Sequence, residues 1–260
     1  TILPGYLKAL YNLGVAWSWT GEHEKAVDCL QRAATAKHDH AKPVTDSFVY
    51  RSRITHDLEQ VRYLFARQLL HDEHRPYFQA LQQLDGELRR RPDPGNRIPI
   101  APQALAPVAA SFNRLLYRAP NPHLPDGALH PDLNVESVES RYLDQQPEVT
   151  YIDGLLNHEA LDALRRFCWE STVWKKDYEN GYIGAFLGDG FASPLLLQIA
   201  EELRLKFPRI FKQHRLTQAW AFKHDSTRRG LNIHADAAAV NVNFWITPDE
   251  ANLNQETGGL

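Results

Sequence analysis

Proline places the first limit on what this chain can fold into. More than half of its sixteen prolines fall within residues 91–131, in the runs RPDPGNRIPIAPQALAP and RAPNPHLPDGALHP. Each lacks a backbone N–H and fixes its own φ, so neither a long helix nor a central strand can run through this stretch. Regular structure is expected on either side. The reading is a helical region over 1–90, a connection over 91–147 broken by a short helix at 109–116, and a second domain over 148–260.

Bulk properties narrow the function classes. The chain has 260 residues, 43% hydrophobic and 23% charged, with a formal net charge of -3. No basic excess points to nucleic acid as a partner. No apolar run approaches the roughly 18 residues that span a bilayer, and the first ten residues do not read as a secretion signal. Cys29 and Cys168 lie far apart and fit a reducing compartment better than a disulfide framework, so a cytoplasmic location is expected. Methionine is absent, where about five would be usual in a chain of this size.

Residues 2–36 read as two helices with a turn at Thr20-Gly21, because apolar and small residues recur at helical spacing. Leu13, Gly14, Trp17, Gly21, Ala26, Leu30 and Ala33 carry a close resemblance to a tetratricopeptide repeat. Gly14 and Ala26 are small where two such helices cross, and Trp17 and Leu30 fill the space beside them. Further helices are expected at 52–70, with Ile54, Leu58, Val61, Phe65 and Leu69 at spacings of three and four, and at 76–90. Beyond the prolines, VTYIDGLL reads as a strand. Asn157 and Ser193 read as caps of two more helices. LTQAWAFKH, LNIHAD and AAVNVNFWIT then read as strands. The Gly- and aromatic-rich stretch GYIGAFLGDGF fits a substrate-side loop and a tight packing segment equally well.

The candidate chemistry lies in His234-Ala235-Asp236. Residues two apart on a strand project to one side, so the imidazole and carboxylate can approach one metal ion. Two His and one carboxylate with open positions form the facial triad of non-haem Fe(II) oxygenases. The triplet alone carries little weight, since about one is expected by chance among twelve His at ordinary Asp usage. Indeed a second copy, His130-Pro131-Asp132, occurs in the proline-rich stretch, where no strand is expected. The neighbourhood separates the two: a strand precedes His234, another follows Asp236, and ETGGL can bend into the next.

The run TQAWAFKHDSTRRGLNIHADAAAVNVNFWITPDEANLNQETGGL resembles Fe(II)- and 2-oxoglutarate-dependent oxygenases of the prolyl hydroxylase type. It is most similar to bacterial members with tetratricopeptide repeats ahead of the oxygenase domain. VTYIDGLLNHEALDALRRF resembles the strand and helix that open such domains. The resemblance implies an α+β chain, with a helical, tetratricopeptide-like region followed by a truncated double-stranded β-helix (jelly roll) with flanking helices. His234 and Asp236 would hold Fe(II), with 2-oxoglutarate as co-substrate, converted to succinate and carbon dioxide as substrate is hydroxylated. The second metal His and the basic partner of 2-oxoglutarate are expected beyond Leu260.

On the strand after the metal pair, Asn241, Asn243, Trp245 and Thr247 share one face and Val240, Val242, Phe244 and Ile246 the other. That pattern fits core and solvent, or a pocket lined by amides that donate to a carboxylate. Asn243, Asn241, Trp220 and Trp245 are the candidate co-substrate contacts. His224 reads as a polar strand end, Trp169 and Trp174 as core, and Lys175-Lys176 and Arg228-Arg229 as surface pairs. A peptide or protein substrate docked on the helical repeat is the expected partner. The alternatives are an interaction scaffold with an inactive jelly roll, or a metal-independent cupin-like binding protein.

Overall fold

The computed structural model of the protein describes residues 4–38, 48–91, 95–224 and 236–252. Helices α1 (Pro4–Trp19) and α2 (His23–His38) form a hairpin whose turn needs the positive φ of Gly21. The two helices cross closely. A Cβ on Gly14 would lie 2.7 Å from Leu30 Cγ and 3.0 Å from the Ala26 carbonyl oxygen. Residues of α2 continue the packing on its other side, with Leu30 beside Leu187 and Ala192, and Ala26 and Val27 beside Leu197.

The strand β1 (Phe48–Tyr50) leads directly into α3 (Arg51–Ala66), which packs on α4 (Arg75–Arg90). Ile54, Leu58, Val61 and Leu64 meet Leu81, Leu84 and Leu88 in one core. Helix α3 stops at Ala66 rather than at residue 70. Gln68 turns into the left-handed region at φ 58°, and the N–H groups of Gln68 and Leu69 bond back to the carbonyls of Phe65 and Leu64 at 3.0 and 2.9 Å. Strand β2 (Arg97–Pro99) pairs antiparallel with β1, Val49 opposite Ile98.

The short helix expected at 109–116 forms instead as α5 (Pro102–Leu105), followed by loose turns. Pro102 is tolerated in a first turn, whereas Pro107 would remove an interior hydrogen bond and clash one turn back. Next come α6 (Val135–Leu143) and α7 (His158–Glu170), the latter capped by Asn157, which accepts from the Ala160 N–H at 2.8 Å. Strands β3 (Trp174–Asp177) and β4 (Tyr182–Phe186) form a hairpin. Helix α8 (Pro194–Lys206), capped by Ser193, precedes α9 (Pro208–Phe211) and β5 (Trp220–His224). The second sheet has the order β3-β4-β5 and is antiparallel throughout.

The α+β class is therefore realised by helices and two small antiparallel sheets. Two expected strands are corrected. Residues 149–156 make only an isolated bridge, Leu129 with Leu156. Gly154 turns the chain at φ 62°, and Val149 and Tyr151 are 66% and 72% exposed, so no ladder partner covers them. Residues 237–247 are in no strand either: Val240 and Ile246 are half-buried against separate cores, while Val242 is 38% and Trp245 66% exposed. The expected strand LNIHAD lies outside the described residues except for Asp236.

The proline-rich stretch and the residues after it are packed. Leu105, Val108 and Phe112 join the α3–α4 core, Ala119 the core under the second sheet, and Leu124, Ala128 and Leu129 the core of α7 and α8. With few ladder partners, their backbone groups still require hydrogen bonds, and polar side chains supply them. Thr172 Oγ1 accepts from the N–H groups of Leu116 and Tyr117 (2.8 and 3.0 Å), and Ser171 Oγ from that of Ala119 (3.1 Å). Gln198 serves both sides of Leu124, accepting from its N–H and donating to its carbonyl at 2.8 Å each. The Glu202 carboxylate accepts from the N–H groups of Ala128 and Leu129 at 2.9 Å. Among the described residues no helix is long and apolar enough to cross a membrane.

The close helix crossing yields a measurable expectation. Gly14→Val forces a branched side chain against Leu30 and should lower unfolding free energy by about 1–3 kcal/mol in urea titrations. A change within about 0.5 kcal/mol, the range of ordinary surface substitutions, would mean that the helices can separate freely.

Candidate functional site

Alternation divides the second sheet into two faces. One carries Tyr182, Gly184 and Phe186 from β4 with Trp220, Phe222 and His224 from β5. Their rings form a continuous aromatic surface. Tyr178 stacks on Tyr182 at 4.1 Å and Tyr182 on His224 at 5.3 Å, while Phe222 stands edge-on to Tyr182 and Phe186, and Phe186 meets Trp220 at 6.3 Å. Gly184 makes this possible, since a Cβ there would lie 2.8 Å from the Phe186 ring and 3.1 Å from that of Phe222. Much of the glycine- and aromatic-rich stretch is thus the central strand of a sheet.

The other face is held to α3 by charge. Arg53, only 1% exposed, donates through Nε to Asp57 at 2.8 Å and through Nη1 to Asp177 in β3 at 3.1 Å. Its guanidinium lies 4.7 Å from the centre of the Phe112 ring. Tyr77 of α4 donates its hydroxyl to the other oxygen of Asp57 at 3.0 Å. Lys223 of β5 bonds Glu59 at 2.7 Å and approaches His56 Nδ1 at 3.4 Å, and His56 meets the edge of Trp174. Gln60 donates to the carbonyls of Trp169 and Ser171 at the end of α7.

Burial sets the protonation of this cluster. Burial by itself would weaken the positive charge of Arg53, but Asp57 and Asp177 outweigh it and hold the guanidinium charged. Burial likewise favours a neutral Asp57, yet Arg53 leads the neighbours that keep its carboxyl below the usual range. His56 has no carboxylate strong enough to offset its burial, and its pKa falls to about 3. Lys175, expected as a surface residue, is half-buried and donates to the Arg114 carbonyl at 2.8 Å. Burial and then Arg53 draw its pKa down to about 7. Lys176 is exposed, as expected.

The residues singled out from sequence fall unevenly. His234 and Arg228-Arg229 lie outside the described residues. Asp236 is exposed, as are Asn241, Asn243 and Trp245, all on the segment without a strand. Trp220 is half-buried against Phe186, and among the described residues no hydrogen bond or ring contact joins it to Asn241, Asn243 or Trp245. His224 ends β5, as expected. Trp174 is core, but Trp169 is 49% exposed. The second His-x-Asp copy lies in a turn, where His130 Nδ1 accepts from the Asp132 N–H at 3.3 Å. Cys29 and Cys168 are both buried and unbridged, and burial pushes the Cys168 thiol up to about 12.

The β3–β4 hairpin had a sequence signal in Asn180-Gly181, where Gly181 takes φ 86°. The Arg53–Asp57 pair had one in its i, i+4 spacing. Compared with protein-family models, with curated proteins and with solved structures, the chain matches none.

Two measurements probe the charged cluster. Arg53→Met leaves Asp57 and Asp177 without their shared counter-charge and should cost about 3–5 kcal/mol in urea unfolding; an unchanged midpoint would show that the pair is not needed. His56 is neutral when folded and ordinary when unfolded, so the unfolded chain binds the extra proton between pH 6.5 and about 3. Stability therefore falls on acidification across that window, by up to about 1.4 kcal/mol per pH unit. His56→Phe should flatten this part of the stability–pH curve, and an identical slope in the variant would remove His56 as its source.

Proposed function

We propose that the chain carries part of a non-haem Fe(II)- and 2-oxoglutarate-dependent dioxygenase of the prolyl hydroxylase type, with His234 and Asp236 as two of the metal ligands. The observation that carries this reading is the His-x-Asp triplet placed shortly after β5, within the run that resembles these oxygenases. The exposed carboxylate of Asp236 and the aromatic face of β4 and β5 nearby in sequence are compatible with it.

The donor set fits the metal: an imidazole and a carboxylate are the ligand types non-haem Fe(II) takes. Among the described residues no group of three or more His, Cys, Asp or Glu is placed to hold a metal, and His234 lies outside that set. Iron bound there would supply the oxidising power by which oxygen and 2-oxoglutarate hydroxylate a substrate, with succinate and carbon dioxide as co-products. The chain's own part is binding and orientation. Asn241 and Asn243 offer amide N–H donors to a carboxylate, and Trp220 and Trp245 offer flat apolar walls. The jelly roll, the tetratricopeptide character of α1–α2 and a peptide or protein substrate belong to the same proposal.

A second reading, an interaction scaffold, is favoured by one observation. Tyr6, Ala9, Leu13 and Ala16 recur at helical spacing on α1 and are all exposed, an apolar stripe of the kind that contacts a partner.

The two readings part on one substitution. Asp236→Ala should weaken Fe(II) binding in anaerobic dialysis by more than the roughly 10–100-fold that loss of an outer-shell partner brings. It should also end 2-oxoglutarate-dependent succinate formation, with the circular dichroism spectrum unchanged. Retained iron affinity would place the metal elsewhere. Absence of any iron binding or succinate formation in protein that also carries the expected second metal His and basic residue would favour the scaffold.

A further inference from the structure

A cavity of about 130 Å³ lies between α2 and the chain ahead of β3, lined by Thr35, Leu115, Leu116, Tyr117 and Arg118. Arg118, which is half-buried, differs from the fully buried Arg53. Arg53 has two carboxylates, whereas Arg118 makes no ion pair among the described residues, and its Nε is buried without a hydrogen-bond partner. Burial alone acts on its guanidinium, drawing its pKa below the ordinary value, with no neighbouring charge to offset it. An arginine stays protonated in proteins, and its fork is a ready partner for an anion. An anion bound in the cavity would give the buried Nε an acceptor and the guanidinium a counter-charge.

We propose that this cavity binds a short-chain organic carboxylate. One guanidinium matches one negative charge, and its fork suits a planar carboxylate, which can take two parallel hydrogen bonds. Thr35 adds a hydroxyl donor. Leu115 and Leu116 provide an apolar wall for an aliphatic chain of a few carbons. A phosphate dianion would bring a second charge that none of the five lining residues neutralises. The lining residues of this site are not those of the proposed metal pair.

The test uses the protein without iron or 2-oxoglutarate, in a buffer free of carboxylates and phosphate. Sodium butyrate is titrated against sodium chloride at constant ionic strength, followed by thermal unfolding and by saturation-transfer NMR on the butyrate protons. A saturable rise in Tm with a matching NMR signal is expected. Arg118→Gln should weaken butyrate binding by about tenfold or more, as expected when a hydrogen bond to a charged group is lost. Thr35→Val, on an exposed position of α2, should weaken it while leaving the butyrate-free Tm unchanged, and it serves if Arg118→Gln does not fold. No saturable response in the unaltered protein, or equal responses in it and the variants, overturns the proposal. Tighter binding of inorganic phosphate than of butyrate overturns the assignment to a carboxylate.

Discussion

A guanidinium removed from water loses several kcal/mol of hydration unless opposite charge and hydrogen bonds replace it. Arg53 obtains that replacement from two places at once, its own helix through Asp57 and strand β3 through Asp177. The bond to Asp177 fixes the position of the sheet on α3, because the guanidinium fork tolerates little displacement. Phe112 beneath it and Tyr77 beside Asp57 bring the proline-rich stretch and α4 to the same point. Four parts of the chain thus meet at one charge, and the placement of β4 and β5 follows from it.

The sheet in turn decides what a ligand can meet. Its inner face is closed by α3 and α7, so among the described residues the outer aromatic face is the side of this sheet left open to a ligand. His56 and Lys175, both held toward their neutral forms by burial, lie on the closed side and serve the packing. The two proposed sites are built on different residues. One follows β5 in sequence, and the other sits by α2, around a different arginine.

Local signals were legible wherever a short-range contact makes the structure. The Gly14 crossing, the Asn157 and Ser193 caps and β5 follow from spacing and side-chain type, since each is settled within one or two turns of chain. The misses share the opposite cause. VTYIDGLL and AAVNVNFWIT alternate as strands do, but a strand also needs a neighbour, and alternation says nothing about whether one is present. Lys175 reads as a surface residue because composition cannot show which carbonyl a distant segment brings to it. The apolar spacing of α3 likewise gives no sign that Ser52, Arg53, His56, Asp57 and Gln60 are buried with its leucines. For the candidate metal pair, sequence supplies the ligand types and their spacing, while His234 falls outside the described residues.

Beyond β2 the proline-rich stretch has no long ladder, yet its amides are held by hydroxyls, an amide and a carboxylate carried on α8 and the residue pair after α7. Such anchoring links stretches of chain roughly fifty to seventy-five residues apart. Loop closure over such lengths is entropically unfavourable until both ends are in place. The belt is accordingly held only while α8 and the residues after α7 are in place. Once closed, the peptide protons of Leu116, Ala119, Leu124 and Ala128 exchange with solvent only when α7 and α8 open, so irregular backbone acquires the kinetic protection usually associated with helices and sheets.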